Sequence, residues 1–259
     1  MNRTGLAIAL AIAAVVGVAF GVHPQLDLDV SALFFDPATR TFKMGGQPWT
    51  LHSRDVASAL ITLLVAPAFV AVVGKLVLPR RRMLIGGRAA LFLIATLALG
   101  PGVVANKIFK EHSGRMRPVD VTQFGGTDRF TPWWDPRGPC TENCSFIAGE
   151  PSGAFWTLAP AALAPPQWRL LTYGAALAFG AFIGGLRIAA GGHFFTDVVF
   201  AGVFMFLLAW VVHGLIYRWR STRQTDKAIE RPLEWAGGAI RDALATLVRR
   251  ITARKSPRA

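Results

Sequence analysis

The chain has 259 residues, 53% of them hydrophobic and 17% charged, and a mean hydropathy of +0.41. A helix needs about 20 apolar residues to cross a hydrocarbon core, so this length holds about six crossings and excludes a separate soluble catalytic domain. Lys and Arg outnumber Asp and Glu 28 to 15, for a net charge of +13, a surplus first read against the positive-inside rule, and two Cys exclude a Cys-rich zinc site.

Apolar runs at about 5–22, 56–79, 87–106, 152–166, 170–190 and 194–217 predict six helices. The first has no clear small-x-small cleavage site, so it reads as an uncleaved anchor rather than a signal peptide. The fourth is short and interrupted by proline, and is expected to begin inside the protein. Arg80, Arg81 and Arg82 with Arg88, then Arg169, then the tail from Arg218 mark alternate loops as cytoplasmic, whereas 23–55 carries Asp27, Asp29, Asp36 and Asp55. Both termini are therefore expected inside, and 23–55, 107–151 and 187–193 outside. The 107–151 segment is basic yet faces outward, so its charge calls for a functional reason. Beyond 220 the composition changes, dividing the chain into a 1–220 membrane domain and a 221–259 basic tail. Ile240, Leu244, Leu247, Val248 and Ile251 recur at helical spacing among Arg241, Arg249, Arg250, Arg254 and Lys255. That pattern fits an amphipathic helix on anionic lipid or a solvated basic tail. No repeat and no nucleic-acid module is present, so no nucleic-acid partner is expected. The predicted fold is all-α: a six-transmembrane-helix bundle with a periplasmic-face active site and a C-terminal amphipathic helix.

Two segments can carry chemistry. Between Lys107 and Pro118, Lys107, Lys110, Arg115 and Arg117 cluster at and past an outer helix end, a site for an anion or a set of snorkelling interface residues. Lys110 and Arg117 are seven apart and share a face if the helix persists, so one phosphate can meet both. Between Arg187 and Asp197, His193 and Asp197 stand i,i+4, which lets the carboxylate accept one imidazole N–H and free the other nitrogen. A purely structural His–Asp pair is the alternative. Gly191 and Gly192 permit close backbone approach and open amides. Two metal ligands among several cations suit no divalent ion, so neither metal nor cofactor is expected.

Lys-x6-Arg-Pro at Lys110 to Pro118 and Arg-x5-His-x3-Asp at Arg187 to Asp197 resemble the first and third signatures of the type 2 phosphatidic acid phosphatase superfamily, in its integral-membrane branch. The resemblance covers roughly residues 50–215. The family's middle Pro-Ser-Gly-His is altered, with two registers open. Ile147-Ala148-Gly149-Glu150 places Glu150 where the His belongs, and Pro151-Ser152-Gly153-Ala154 matches literally but ends in Ala. The first is preferred because it keeps an ionisable group at the outer helix end.

The resemblance implies that His193 attacks phosphorus to form a phosphohistidine, oriented by Asp197, with Lys110, Arg117, Arg187, Gly149 and Gly192 holding the phosphate. Glu150 would protonate the leaving oxygen, or stay ionised and hold water or a substrate hydroxyl; His112 is a further candidate donor. Phe124, Phe130, Trp133 and Trp134 in the 119–144 loop would line a lipid entrance or anchor at the interface, and Cys140 and Cys144 would form a small disulfide stiffening the approach to Glu150. Cys-Ser-Phe-x-x-Gly-Glu and Gly-Gly-His-Phe-x-x-Asp are similar to bacterial lipid A phosphatases. The expectation is a periplasm-facing lipid phosphatase of a bacterial inner membrane. Its first substrate candidate is lipid A, the 4′-phosphate ahead of the 1-phosphate. The alternatives are an undecaprenyl diphosphate or phosphatidylglycerophosphate phosphatase, or a non-catalytic phospholipid-binding or transport relative. The oligomeric state stays open.

Overall fold

A computed structural model describes residues 1–255, the side chains of Leu51 and of residues 250–255 excepted. The expectations resting on the side chains of Arg250, Ile251, Arg254 and Lys255 lie outside the described residues. The chain is mostly helical, and among the described residues five helices are long and apolar enough to cross a membrane: α1 (Arg3–Val22), α3 (Pro48–Val77), α4 (Gly87–His112), α7 (Arg169–Ala189) and α8 (Phe195–Arg218). Local chemistry sets their ends. The Asn2 side chain accepts the Gly5 N–H at 2.9 Å and caps α1. Pro48 opens α3 at a position where no N–H is needed, so the helix starts before its apolar stretch. Pro101 lies in the Ala98–Phe109 stretch of α4, which widens to π-type turns.

The predicted fourth run folds as two short helices, α5 (Gly149–Phe155) and α6 (Leu158–Ala162). Pro160 cannot donate to the Trp156 carbonyl, and Ala159 takes that acceptor at 2.8 Å in a tighter turn, which separates the two. Pro151 to Phe155 and most of α6 are buried, so this pair packs within protein.

A small cap precedes α3. Helix α2 (Gln25–Ala32) leads into an antiparallel pair, β1 (Phe35–Asp36) and β2 (Thr41–Phe42), with Phe35 opposite Phe42. The Asp36 carboxylate accepts the Ala38 N–H at 2.9 Å and fixes the turn. Phe35, Phe42 and Phe124 meet at ring distances of 5.2 and 5.3 Å, and Leu28, Val121 and Phe194 join them in one buried cluster. Trp133 packs 4.5 Å from Phe200. These contacts correct the expectation for the 119–144 aromatics: Phe124, Phe130 and Trp133 pack into the protein, and Trp134 alone of the four is exposed. Their large apolar area finds partners on α8 and the cap.

The chain divides into two compact units. One comprises Met1–Leu64 and Ala95–His213, and holds the cap and every residue of the candidate site. The other comprises Val65–Ile94 and the chain from Gly214 onward. In this second unit Lys75 is buried, pairs with Glu234 at 2.6 Å and donates to the Arg81 carbonyl at 2.9 Å. Asp226 accepts the Arg88 N–H at 2.9 Å and pairs with its guanidinium. Asp226 and Glu234 belong to α9 (Asp226–Lys255), on which Ile240, Leu244, Leu247 and Val248 are exposed.

Candidate active site

His193 lies in the turn between α7 and α8, not on a helix as its i,i+4 spacing from Asp197 suggested. Gly191 adopts φ +70°, and the Gly191 and Gly192 amides donate to the carbonyls of Ile188 and Arg187, both at 2.9 Å. This closes α7 with a left-handed cap and corrects the expectation of open amides there. Gly192 serves the site through its missing side chain, because a Cβ would lie 2.8 Å from the Arg187 guanidinium carbon. Gly149 does the same for Lys110, where a Cβ would lie 2.8 Å from Nζ.

The imidazole of His193 is buried. Its Nδ1 lies 2.9 Å from the Ser145 carbonyl oxygen and 3.7 Å from Asp197 Oδ2. A carbonyl oxygen only accepts, so Nδ1 carries the proton and Nε2 keeps its lone pair. The expected direct His–Asp hydrogen bond is thus replaced. The Ser145 carbonyl accepts the Nδ1–H hydrogen bond, and the Ser145 hydroxyl donates to Asp197 Oδ2 at 2.5 Å. Asp197 also accepts the Phe194 N–H at 2.8 Å, half of a capping box on α8. Burial pushes the imidazole below its ordinary value, helped by Arg187 and Arg117 and opposed by Asp197. The neutral, nucleophilic form is favoured.

Around it stand the cations. The Lys110 ammonium donates to Asn143 Oδ1 at 3.1 Å, and Arg117 donates to the Asn143 carbonyl at 2.9 Å. Asn143 sits in a left-handed conformation, φ 50°, inside the Cys140–Cys144 disulfide loop. Glu150 pairs with Arg54 of α3 at 2.9 Å and with Arg187 at 3.5 Å. Lys110, Arg117, Arg187, Arg54 and Glu150 are electrostatic neighbours. Four cations thus cluster around Glu150, and two of them, Arg117 and Arg187, also neighbour His193, the kind of positive setting that phosphoryl transfer requires.

The structure brings together His193, Asp197, Glu150, Lys110, Arg117, Arg187, Gly149 and Gly192. It places others elsewhere. Lys107 is exposed and paired with Glu111, and the exposed His112 faces its own helix carbonyl at Ile108. Arg115 is wholly buried against two carboxylates and meets no substrate space. Of the two registers, the first puts Glu150 among the guanidiniums, whereas Ser152 in the second is buried and donates to the Ala148 carbonyl at 2.7 Å. Sequence reasoning missed Ser145, Asn143 and Arg54 as participants. Ser145 adjoins the altered motif and was the one with a signal.

The profile of the PAP2 superfamily matches residues 89–224. The chain belongs to the PAP2 superfamily. As a superfamily member it is a membrane phosphatase. It is 34% identical over 227 residues to the lipid A 4′-phosphatase of Francisella tularensis subsp. novicida, an alignment spanning 84% of this chain and 98% of that protein. It is 33% identical to the lipid A 4′-phosphatases of Rhizobium leguminosarum and Rhizobium etli, over 41% and 40% of this chain and 46% and 41% of theirs. No solved structure is similar to it. The matched span includes Lys110, Arg117, Glu150, Arg187, His193 and Asp197, and leaves out Asp27 and Arg54.

Proposed function

We propose that this PAP2 phosphatase removes the 4′-phosphate of lipid A at the periplasmic face of a bacterial inner membrane. The observation that carries the reading is the His193 tautomer: Nδ1 is committed to the Ser145 carbonyl, so Nε2 keeps its lone pair on a ring that neighbours Arg187 and Arg117, which in turn neighbour Lys110. Nε2 attacks phosphorus, and the P–O bond to the sugar breaks as the N–P bond forms. The cations neutralise the non-bridging oxygens, and Asp197 steadies the positive charge that grows on the ring. The sugar oxygen takes a proton from solvent and leaves as an alcohol, and the proton that Glu150 later takes from the hydrolytic water returns to solvent to close the balance. Water then cleaves the phosphohistidine, releasing inorganic phosphate and restoring the neutral imidazole. Glu150, paired with two guanidiniums, fits the ionised role: it takes the proton of that water as phosphate draws Arg187 away. The full-length similarity to one lipid A 4′-phosphatase supports the substrate.

The sidedness follows the basic loops, with both termini cytoplasmic and α5 with α6 supplying the sixth crossing. The exposed Ile240, Leu244, Leu247 and Val248 near Arg241 and Arg249 fit a tail resting on anionic lipid. The deciding experiment incubates the purified protein with lipid A in detergent and follows inorganic phosphate and product mass. Loss of about 80 mass units, the mass of one phosphoryl group, is expected from wild type and not from His193→Ala. Equal release by both would overturn the nucleophile, and hydrolysis of a prenyl diphosphate alone would overturn the substrate.

A further inference from the structure

The buried charges behind the nucleophile carry one further inference. The Arg115 side chain has no exposed surface and lies between two carboxylates, Asp27 at 2.7 Å through Nη2 and Asp197 at 2.5 Å through Nη1. Two more of its donors are engaged: Nε donates to the Thr131 carbonyl at 3.0 Å, and Nη1 also reaches Thr196 Oγ1 at 2.7 Å. The guanidinium lies over the Phe194 ring at 4.3 Å.

Asp27 comes from α2, outside the span that matches the superfamily. Its carboxylate accepts the Thr196 N–H at 3.0 Å and the Thr196 hydroxyl at 2.6 Å. The residue before α8 is Phe194, which has no side-chain oxygen to cap the helix, and Asp27 takes that task from a distant helix. Burial pushes the Asp27 carboxyl up, against Arg115 and the Thr196 hydrogen bond. All three of its partners are donors, the set an ionised carboxylate needs.

The charge balance gives this arrangement a consequence beyond packing. One guanidinium between two carboxylates leaves a net of minus one beside His193. With Asp27 absent, Arg115 would spend its whole charge on Asp197 and cancel the field that Asp197 sets up at the imidazole. We infer that Asp27, through Arg115, is a positioning residue that keeps Asp197 electrostatically effective toward His193 while capping the helix that carries it.

The inference rests on the proposed nucleophilic role of His193, and its test separates the two. The charges facing His193 are Asp197 from α8, Arg187 from α7 and Arg117 from the segment after α4, with Arg115 and Asp27 behind Asp197. Asp27→Asn keeps the shape and the Thr196 cap but removes one negative charge. The imidazole of His193, followed by NMR without substrate, is expected to titrate at lower pH than in wild type. With lipid A in detergent, kcat falls about tenfold to a hundredfold with KM within about twofold. Asp27→Ser carries the same expectation if the first variant does not fold. Thr196→Val loses hydroxyl contacts but no charge, so its melting temperature falls while the titration stays in place. An unmoved titration in Asp27→Asn, or an equal movement in Thr196→Val, overturns the inference. A moved titration with no phosphate release from lipid A by wild type supports the pair and overturns the proposed substrate.

Discussion

The Ser145 carbonyl decides more about His193 than the aspartate four residues away. It fixes the proton on Nδ1, and burial with Arg187 and Arg117 nearby holds the imidazole below its ordinary value of 6.5. The active neutral ring is present above that lowered value and is lost as pH falls through it. The acid limb of kcat/KM, corrected for the substrate's own second ionisation, is therefore expected below 6.5; a limb above it would contradict the burial argument. Glu150 offers a second check. Its carboxylate touches Arg54 and Arg187, whereas Ser152 only donates back into its own helix. Glu150→Gln should lower kcat about a hundredfold or more, and Ser152→Ala should change it less than about threefold. The reverse ranking would restore the other motif register. The motif residues were legible because spacing along the chain encodes them. Arg115 could only be grouped with the cluster around Lys110, because spacing cannot tell a guanidinium facing an anion from one sealed between two carboxylates.

Among the elements, the disulfide loop has the clearest consequence. Cys140 and Cys144 are bridged, and between them Asn143 holds both Lys110 and Arg117. The Cys144 N–H also donates to the Lys110 carbonyl at 3.0 Å, tying the loop to the end of α4. The loop thus places two cations, the proposed phosphate ligands, that come from separate parts of the first motif. Reduction frees Asn143 from its left-handed conformation and lets the cations spread. Activity assays with and without reductant are expected to show KM rising about tenfold, and Asn143→Ala to reproduce that rise in the oxidised protein. Unchanged kinetics in both would show that the cations hold their places without the loop. The spacing of the two Cys made the bridge readable from sequence. The role of Asn143 was not, because its backbone and side chain act on residues about thirty positions earlier.

For the molecule as a whole, the arithmetic of crossings turns on the buried pair α5 and α6. Hydropathy marked six runs, and five fold as single long apolar helices. The remaining run was readable only as a short, proline-broken stretch, because a segment surrounded by protein needs neither the length nor the continuous apolar surface of a lipid-facing one. If α5 and α6 together span the bilayer, the loop at Arg169 lies on the same side as Arg80 to Arg82 and the tail. Alkaline phosphatase fused after Met44 or Arg129 should then be active. Fusions after Arg82, Gln167 or Thr225 should be inactive and should support a cytoplasmic reporter instead. The fusion after Gln167 is decisive. Activity there would put Arg169 on the face that holds Ser145 and have α7 carry His193 across the membrane, which the 2.9 Å contact between His193 and the Ser145 carbonyl forbids, so that outcome would overturn the assembled site as well. This one reporter therefore tests the topology and the site together.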